Sequence, residues 1–213
     1  MKLLEPDWNQ PKPTWQDAQL MCARVSLAPL MVESTVIDDV LARLRVTHSN
    51  GGAVLASIQV GANDTFDWFA SRNRLLEFDV LRSLLRRESI RDALPELMIP
   101  IEEASNGESD TCEIVKARGF EFDNPFLFDG QLAARLFTGG AYGASQKIEA
   151  KAAKQLAISF CDAVFQQRYG DVSLFSSYDA WTPWFHGIAW DWTAILFDRH
   201  DRRLSILAVT DTD

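Results

Sequence analysis

Apolar residues recur at the spacing of one helix face in several stretches of the chain. From residue 36 to 44 they lie three or four positions apart, with charged residues between them, and Ser34 or Thr35 precedes them. This pattern predicts an amphipathic helix that begins at a hydroxyl-bearing cap. The longest pattern of the same kind covers residues 144–169, with lysines on its polar side. We predict a long helix there.

Other stretches have the shorter apolar runs that are typical of strands. Residues 53–60 are rich in valine, isoleucine and alanine, and residues 113–122 alternate in part. Near the end of the chain, the apolar runs 190–197 and 204–209 flank the polar sequence DRHDRR, a pattern that predicts a β-hairpin. We therefore predict an α+β fold, with a mixed or antiparallel sheet packed by several helices and ending in a β-hairpin.

The ends of the predicted elements indicate one domain over residues 1–213. Residues 1–13 are polar and rich in proline, so we expect an extended N-terminal arm that Trp8 and Trp15 pin to the body. Residues 104–111 (ASNGESDT) read as an exposed loop. We do not interpret this loop as a domain boundary, because neither side holds a complete pattern alone.

Composition and charge narrow the classes of partner. The chain has 30 acidic and 21 basic residues and a formal net charge of −9. This charge disfavours binding to the phosphate backbone of nucleic acids and favours a basic protein partner. Its three cysteines are far apart, and no apolar run approaches ~18 residues, so we predict neither a disulfide framework nor a membrane span. A cytoplasmic location is expected, and no cofactor is predicted.

The three histidines are the candidates for acid–base chemistry. His48 and His200 lie beside predicted turns, where we expect both to be exposed. His186 lies within an aromatic stretch, with Asp191 nearby. A histidine beside a carboxylate can transfer protons, whereas a lone histidine more often bonds the backbone of its own loop. We predict no catalytic residue, and we keep a His186/Asp191 acid–base pair as the alternative.

Two further stretches have a chemical and a structural interpretation. Asp198, His200 and Asp201 resemble a metal-ligand set, but turns favour aspartate and the flanking arginines oppose a cation, so no metal site is predicted. A helix from Asp129 is expected to end at the glycine-rich turn 139–143, which contains Tyr142. We interpret that turn in one of two ways: as an anion-binding site at the start of the next helix, or as a plain boundary between two helices.

Residues 178–192 (YDAWTPWFHGIAWDW) are the most aromatic part of the chain. Period-two alternation predicts that Trp190 and Trp192 share one face of a strand. Such a cluster suits core packing, a partner interface or the stacking of a sugar. An acidic stretch could steer a basic partner toward it: Glu102, Glu103, Glu108, Asp110, Glu113, Glu121 and Asp123. The predicted binding residues are Trp181, Trp184, His186, Trp190, Asp191, Trp192 and Tyr142.

Residues 129–213 resemble uncharacterised bacterial proteins, including immunity-like families encoded beside polymorphic toxins. The resemblance lies in the glycine turn with Tyr142, in the sequence WTPWFHGIAWDW and in the terminal TDTD. It implies an acidic, non-enzymatic cytosolic protein that binds and neutralises one toxin, and this is the leading hypothesis. The alternatives are an enzyme of unrecognised class that uses His186 and Asp191, and a small-molecule or sugar binder that uses the tryptophan cluster.

Overall fold

The computed structural model describes residues 3–101, 119–142 and 148–213. In those ranges the chain forms seven α-helices and six strands. The helices are α1 (Trp15–Arg24), α2 (Thr35–Thr47), α3 (Asp64–Ser71), α4 (Val80–Leu85), α5 (Glu88–Ala93), α6 (Phe128–Thr138) and α7 (Ala150–Phe165). The strands are β1 (Leu27–Leu30), β2 (Gly52–Val60), β3 (Glu121–Asp123), β4 (Val172–Ser177), β5 (Trp192–Asp198) and β6 (Arg203–Thr210).

The six strands form one antiparallel sheet in the order β1-β2-β6-β5-β4-β3. β5 and β6 are joined by a short turn, with Trp192 opposite Val209 and Asp198 opposite Arg203. The predicted α+β class and the predicted C-terminal hairpin are therefore confirmed. β1 and β3 are the two edge strands of the sheet.

Helices cover both faces of the sheet. One apolar cluster joins α1, α3, α4 and α5 to the first face, and the other joins α2, α6 and α7 to the second. Alternate residues of β5 face the two clusters. Ile195 and Phe197 pack in the first cluster, whereas Trp192, Ala194 and Leu196 pack in the second. Because both faces are buried, β5 and β6 read as continuous apolar runs instead of alternating ones.

Local caps set several helix ends. The Ser34 side chain accepts a hydrogen bond from the Ile37 N–H and begins α2, as the pattern predicted. Gly139 ends α6 with a φ of 68°, a backbone conformation that favours glycine. α7 is shorter than the predicted helix over 144–169, because Gln166 takes a left-handed conformation directly after Phe165. Residues 144–147 lie outside the described residues.

Two of the six strands were not predicted. β4 has the sequence VSLFSS, in which buried serines interrupt the apolar run. Neighbours satisfy the hydroxyls of Ser173 and Ser176, which bond the side chains of Asn73 and Asp123. β1 is only four residues long and contains Pro29, which an edge strand tolerates. The strand expected over 113–122 appears as Glu121–Asp123; residues 113–118 and the loop 104–111 lie outside the described residues.

The N-terminal arm is extended and packs on α3. Trp8 lies over the guanidinium of Arg72, whose Nη2 donates to the Asp7 carbonyl, and the indole N–H of Trp68 donates to the Gln10 carbonyl at 3.3 Å. Trp8 therefore contacts the body as predicted. Trp15 instead begins α1 and is exposed.

Candidate functional site

Four chain segments that the sequence singled out meet at one end of the sheet. β2 begins there at Gly52, which pairs with Thr210 at the end of β6, and β5 begins there at Trp192. The segments 48–52, 139–142, 186–192 and 210–212 therefore lie together. Their contacts pass mainly through two fully buried carboxylates, Asp191 and Asp211.

Asp211 holds the two glycine turns. Its Oδ1 accepts the Asn50 N–H at 2.9 Å and its Oδ2 accepts the Ala141 N–H at 2.8 Å. A Cβ on Gly140 would collide with this carboxylate, and one on Gly51 would collide with the Thr210 carbonyl. Of the two interpretations of turn 139–143, an external anion site loses support, because the anion bound at Ala141 is the chain's own Asp211.

Asp191 organises the loop that precedes β5. Its Oδ2 accepts the N–H groups of Gly187 at 2.6 Å and Ile188 at 3.2 Å, and its Oδ1 accepts the Thr210 hydroxyl at 2.5 Å. The His186 backbone N–H also donates to Asp191, at 3.4 Å, and the His186 side chain is exposed. The carboxylate therefore bonds the backbone of the loop and a hydroxyl, and not the imidazole that the acid–base alternative requires.

His48 is buried, contrary to the prediction that it is exposed. It ends α2, and the helix directs its ring inward, where Nδ1 lies 2.9 Å from the Leu44 carbonyl. The carbonyl can only accept, so Nδ1 carries the proton. Burial lowers the pKa of His48, and the bond to Leu44 and the charge of Asp211 only partly oppose this. The ring is therefore held neutral within the fold.

The tryptophan cluster is mostly packed. Trp192 is fully buried in the second core cluster, and Trp181 and Trp184 are half-buried against the first. The Trp181 indole N–H donates to the Thr193 hydroxyl at 2.8 Å. Trp190 lies before β5, so the prediction that it shares a strand face with Trp192 was wrong. Any contribution of Trp192 to binding is therefore indirect.

The remaining predicted residues divide by exposure. Asp191 is fully buried, so any role it has in binding is also indirect, whereas Tyr142 and His186 are exposed. The binding role of the seven residues stays a prediction.

The described residues also line a cavity of about 190 Å³ between α4 and Phe120, and no tryptophan is among its lining residues. This cavity is smaller than the ~300 Å³ at which small-molecule pockets usually begin.

The charged turn of the hairpin lies at the opposite end of the sheet. Arg168 Nη2 bonds Asp198 at 2.5 Å and Asp201 at 2.6 Å, and His200 Nδ1 bonds Asp201 at 2.9 Å. Burial raises the pKa of Asp201, but the bond from His200 and the charge of Arg168 outweigh it and hold that pKa below its ordinary value. Arg168 thus occupies the place where a cation would neutralise the carboxylates. Among the described residues, no three metal-ligating side chains form a group.

The two described cysteines do not have the surroundings of a nucleophile. Cys22 and Cys161 are buried, and burial raises the pKa of the first thiol to about 11 and of the second to about 12. A thiol with such a pKa carries almost no thiolate at neutral pH. Both are core residues, in the first and second apolar cluster respectively.

A second candidate surface lies on the β3 edge, outside the aromatic stretch that the sequence favoured. Phe122, Phe126 and Leu127 have exposed fractions of 51%, 65% and 56% within six residues of chain. Glu121 in the same segment is exposed as well. We call Glu121, Phe122, Phe126 and Leu127 the edge surface. The crowding of phenylalanines around Pro125 was visible in the sequence, but nothing there indicated that these side chains face outward.

No family model matches the chain, and no curated protein matches it. Within the parts that the structure describes, no helix is long and apolar enough to cross a membrane.

Proposed function

We propose that this protein is a non-enzymatic binding protein that docks a basic protein on its edge surface. The observation that supports this most directly is the exposure of three large apolar side chains, each by more than half, within residues 121–127. Single exposed apolar residues are ordinary, but three in one short segment, on an edge strand and the turn after it, favour an interaction site.

Packing on both faces of the sheet supports the edge surface. The ring of Phe126 stacks on Tyr169 of the second cluster, with centroids 5.3 Å apart and planes at 22°, and Phe122 meets Phe175 of the first cluster edge-on at 5.8 Å. The Asn124 side chain accepts the Phe126 N–H at 3.0 Å. These contacts hold the rings in place before a partner arrives, which lowers the entropy lost on binding.

The backbone of β3 adds a second means of recognition. β3 pairs with β4 on one side, and no strand among the described residues pairs with its other side. The carboxylate of Asp123 fixes the strand, because it accepts hydrogen bonds from Gln131 at 2.8 Å and Ser176 at 3.1 Å. An edge strand held in this way can accept the extended backbone of a partner.

Charge favours a basic partner. The chain carries 30 acidic and 21 basic residues, and Glu121 lies within the edge surface. Of the acidic stretch named above, Glu121 and Asp123 lie within the described residues. Complementary charge raises the rate of encounter more than the final affinity, so the apolar side chains supply most of the binding energy. That the partner is a toxin is a finer proposal, supported by the resemblance of residues 129–213 alone.

Affinity capture from the native host tests this proposal. We expect tagged wild-type protein at low salt to retain one basic protein in stoichiometric amount, and we expect the yield to fall as salt rises. A Phe122→Ser/Phe126→Ser variant should lose that protein, whereas a Leu20→Ser variant, which changes an exposed apolar residue on α1, should retain it. Equal retention by both variants would contradict the edge surface as the binding site. Failure of the wild type to retain any basic protein would contradict the proposed function.

A further inference from the structure

Arg135 occupies an aromatic setting on α6. Its guanidinium carbon lies 3.8 Å from the ring centroid of Trp192 and 5.5 Å from that of Tyr178. Trp192 is fully buried, whereas the exposed fraction of Tyr178 is 56%. The cation therefore lies between the core and the surface, with its faces against aromatic rings.

The hydrogen bonds of Arg135 leave part of its donor capacity unused. A guanidinium has five N–H groups. Nη1 donates to the Gln131 carbonyl at 3.2 Å, and the Tyr178 hydroxyl is a second hydrogen-bond partner. No carboxylate among the described residues forms an ion pair with Arg135. Arg135 is half-buried, and among the described residues these two partners account for two of its five N–H groups.

A second arginine of the same chain shows what a purely structural arrangement looks like. Arg72 also lies against aromatic rings, 4.7 Å from the centroid of Trp68 and 5.2 Å from that of Trp8. Its N–H groups, however, are directed to the carbonyls of Asp7 and Trp68 and to the Ser71 hydroxyl. Arg72 connects the N-terminal arm to α3, whereas the described residues offer Arg135 no comparable set of acceptors.

The surroundings of Arg135 favour an incoming anion. Burial lowers the pKa of Arg135, which means that the charged form has lost hydration, yet a guanidinium stays protonated at neutral pH. A desolvated charge gains more from a charge-assisted hydrogen bond than a hydrated one does. Within the described residues, the positive charge of Arg135 thus lies against two aromatic rings and is not paired with a carboxylate.

We propose that Arg135, Tyr178 and Trp192 form a binding site for a small oxyanion, a carboxylate or a phosphate group. The planar fork of the guanidinium matches two oxygens of either group. Trp192 holds the fork from below, and the Tyr178 hydroxyl supplies a further donor at the surface. The site uses no residue of the edge surface, so it stands apart from the proposed protein-binding function.

Calorimetric titration of the whole protein with inorganic phosphate and, separately, with acetate tests the site. Both titrations are done in chloride buffer at constant ionic strength. We expect saturable binding of at least one anion to the wild type, with one anion per chain. The anion that binds shows whether the site prefers a phosphate or a carboxylate. Arg135→Gln should weaken that binding by at least about tenfold, and Arg72→Gln should leave it unchanged.

Two results would overturn the site: binding of neither anion by the wild type, or equal binding by wild type and Arg135→Gln. Circular dichroism reports whether Arg135→Gln is folded. If it is not, Arg135→Lys and Tyr178→Phe take its place. Lysine keeps the charge but loses the planar fork, and phenylalanine loses the hydroxyl, so each should weaken binding; unchanged affinity in both would equally overturn the site.

Discussion

At the scale of single residues, the most informative feature is the pairing of buried aspartates with backbone N–H groups. Asp211 accepts from Asn50 and Ala141, and Asp191 accepts from Gly187 and Ile188. A carboxylate that receives several N–H bonds is stabilised without a cationic partner. These two residues therefore have structural roles, whereas the sequence alone allowed Asp191 a part in proton transfer as an alternative.

Replacing Gly140 with alanine should destabilise the protein. The new Cβ would collide with the Asp211 carboxylate, so either the turn or the end of β6 must shift. We expect a loss of about 1–3 kcal/mol in the free energy of unfolding, measured by urea titration. Gly170→Ala is the matched control, because a Cβ there meets nothing within 4 Å, and it should change the free energy by less than ~1 kcal/mol. Equal effects at the two positions would contradict the proposed close packing of Asp211.

His48 should make stability depend on pH. The unfolded chain titrates this ring near 6.5, and burial lowers the pKa in the folded state. Between those two values the unfolded state binds more protons than the folded state. The contribution of His48 to the free energy of unfolding is therefore fully present above about pH 6.5 and is lost as the pH falls through the lowered pKa. His48→Gln should reduce the loss in unfolding free energy between about pH 7.5 and about pH 5. A pH profile identical to that of the wild type would show that another group is responsible.

At the scale of elements, the segment 178–191 is an irregular loop whose order depends on Asp191. The loop places Phe185, Trp181 and Trp184 on the first core cluster, and Asp191 connects its far end to Thr210 of β6. Few of its residues belong to regular hydrogen-bonded elements. Its shape therefore depends on a small number of specific bonds.

Asp191→Ala should loosen this loop more than it affects the sheet. The change leaves the N–H groups of Gly187 and Ile188 and the Thr210 hydroxyl without their acceptor, and the buried Thr210 hydroxyl, left unsatisfied, costs about 1–3 kcal/mol. Hydrogen–deuterium exchange followed by mass spectrometry should show faster exchange across 178–191, with little change in β5 and β6. Asp213→Ala, at the exposed end of the chain, is the control. Uniformly faster exchange would mean that Asp191 supports the whole fold.

The sequence predicted those elements whose burial matches a simple period. α2, β2 and the β5–β6 hairpin have uninterrupted apolar patterns and were predicted near their observed bounds. β4 was missed because its buried serines are satisfied by Asn73 and Asp123, which are distant in sequence. The same limit applies to the site: exposure of Phe122 and burial of His48 depend on tertiary packing that no local pattern contains.

At the scale of the whole molecule, the sheet separates three surfaces with different chemistry. One end of the sheet is closed by Asp191 and Asp211, and the other by the ion pairs of Arg168. Among the described residues, neither end has three exposed apolar side chains in one short segment as the edge surface on β3 has. We therefore propose that edge as the site of protein binding, and we expect its affinity to depend on a few aromatic side chains.

The most direct test of this account is the dissociation constant of the complex with the captured basic partner, measured for purified wild type and for two variants. Loss of a buried aromatic anchor typically costs about 2 kcal/mol or more, and 1.4 kcal/mol corresponds to about tenfold in affinity. We predict that Phe122→Ser/Phe126→Ser weakens binding by about a hundredfold or more, while Leu20→Ser binds like the wild type. Equal dissociation constants for the two variants, with both folded, would contradict the claim that the edge surface binds the partner.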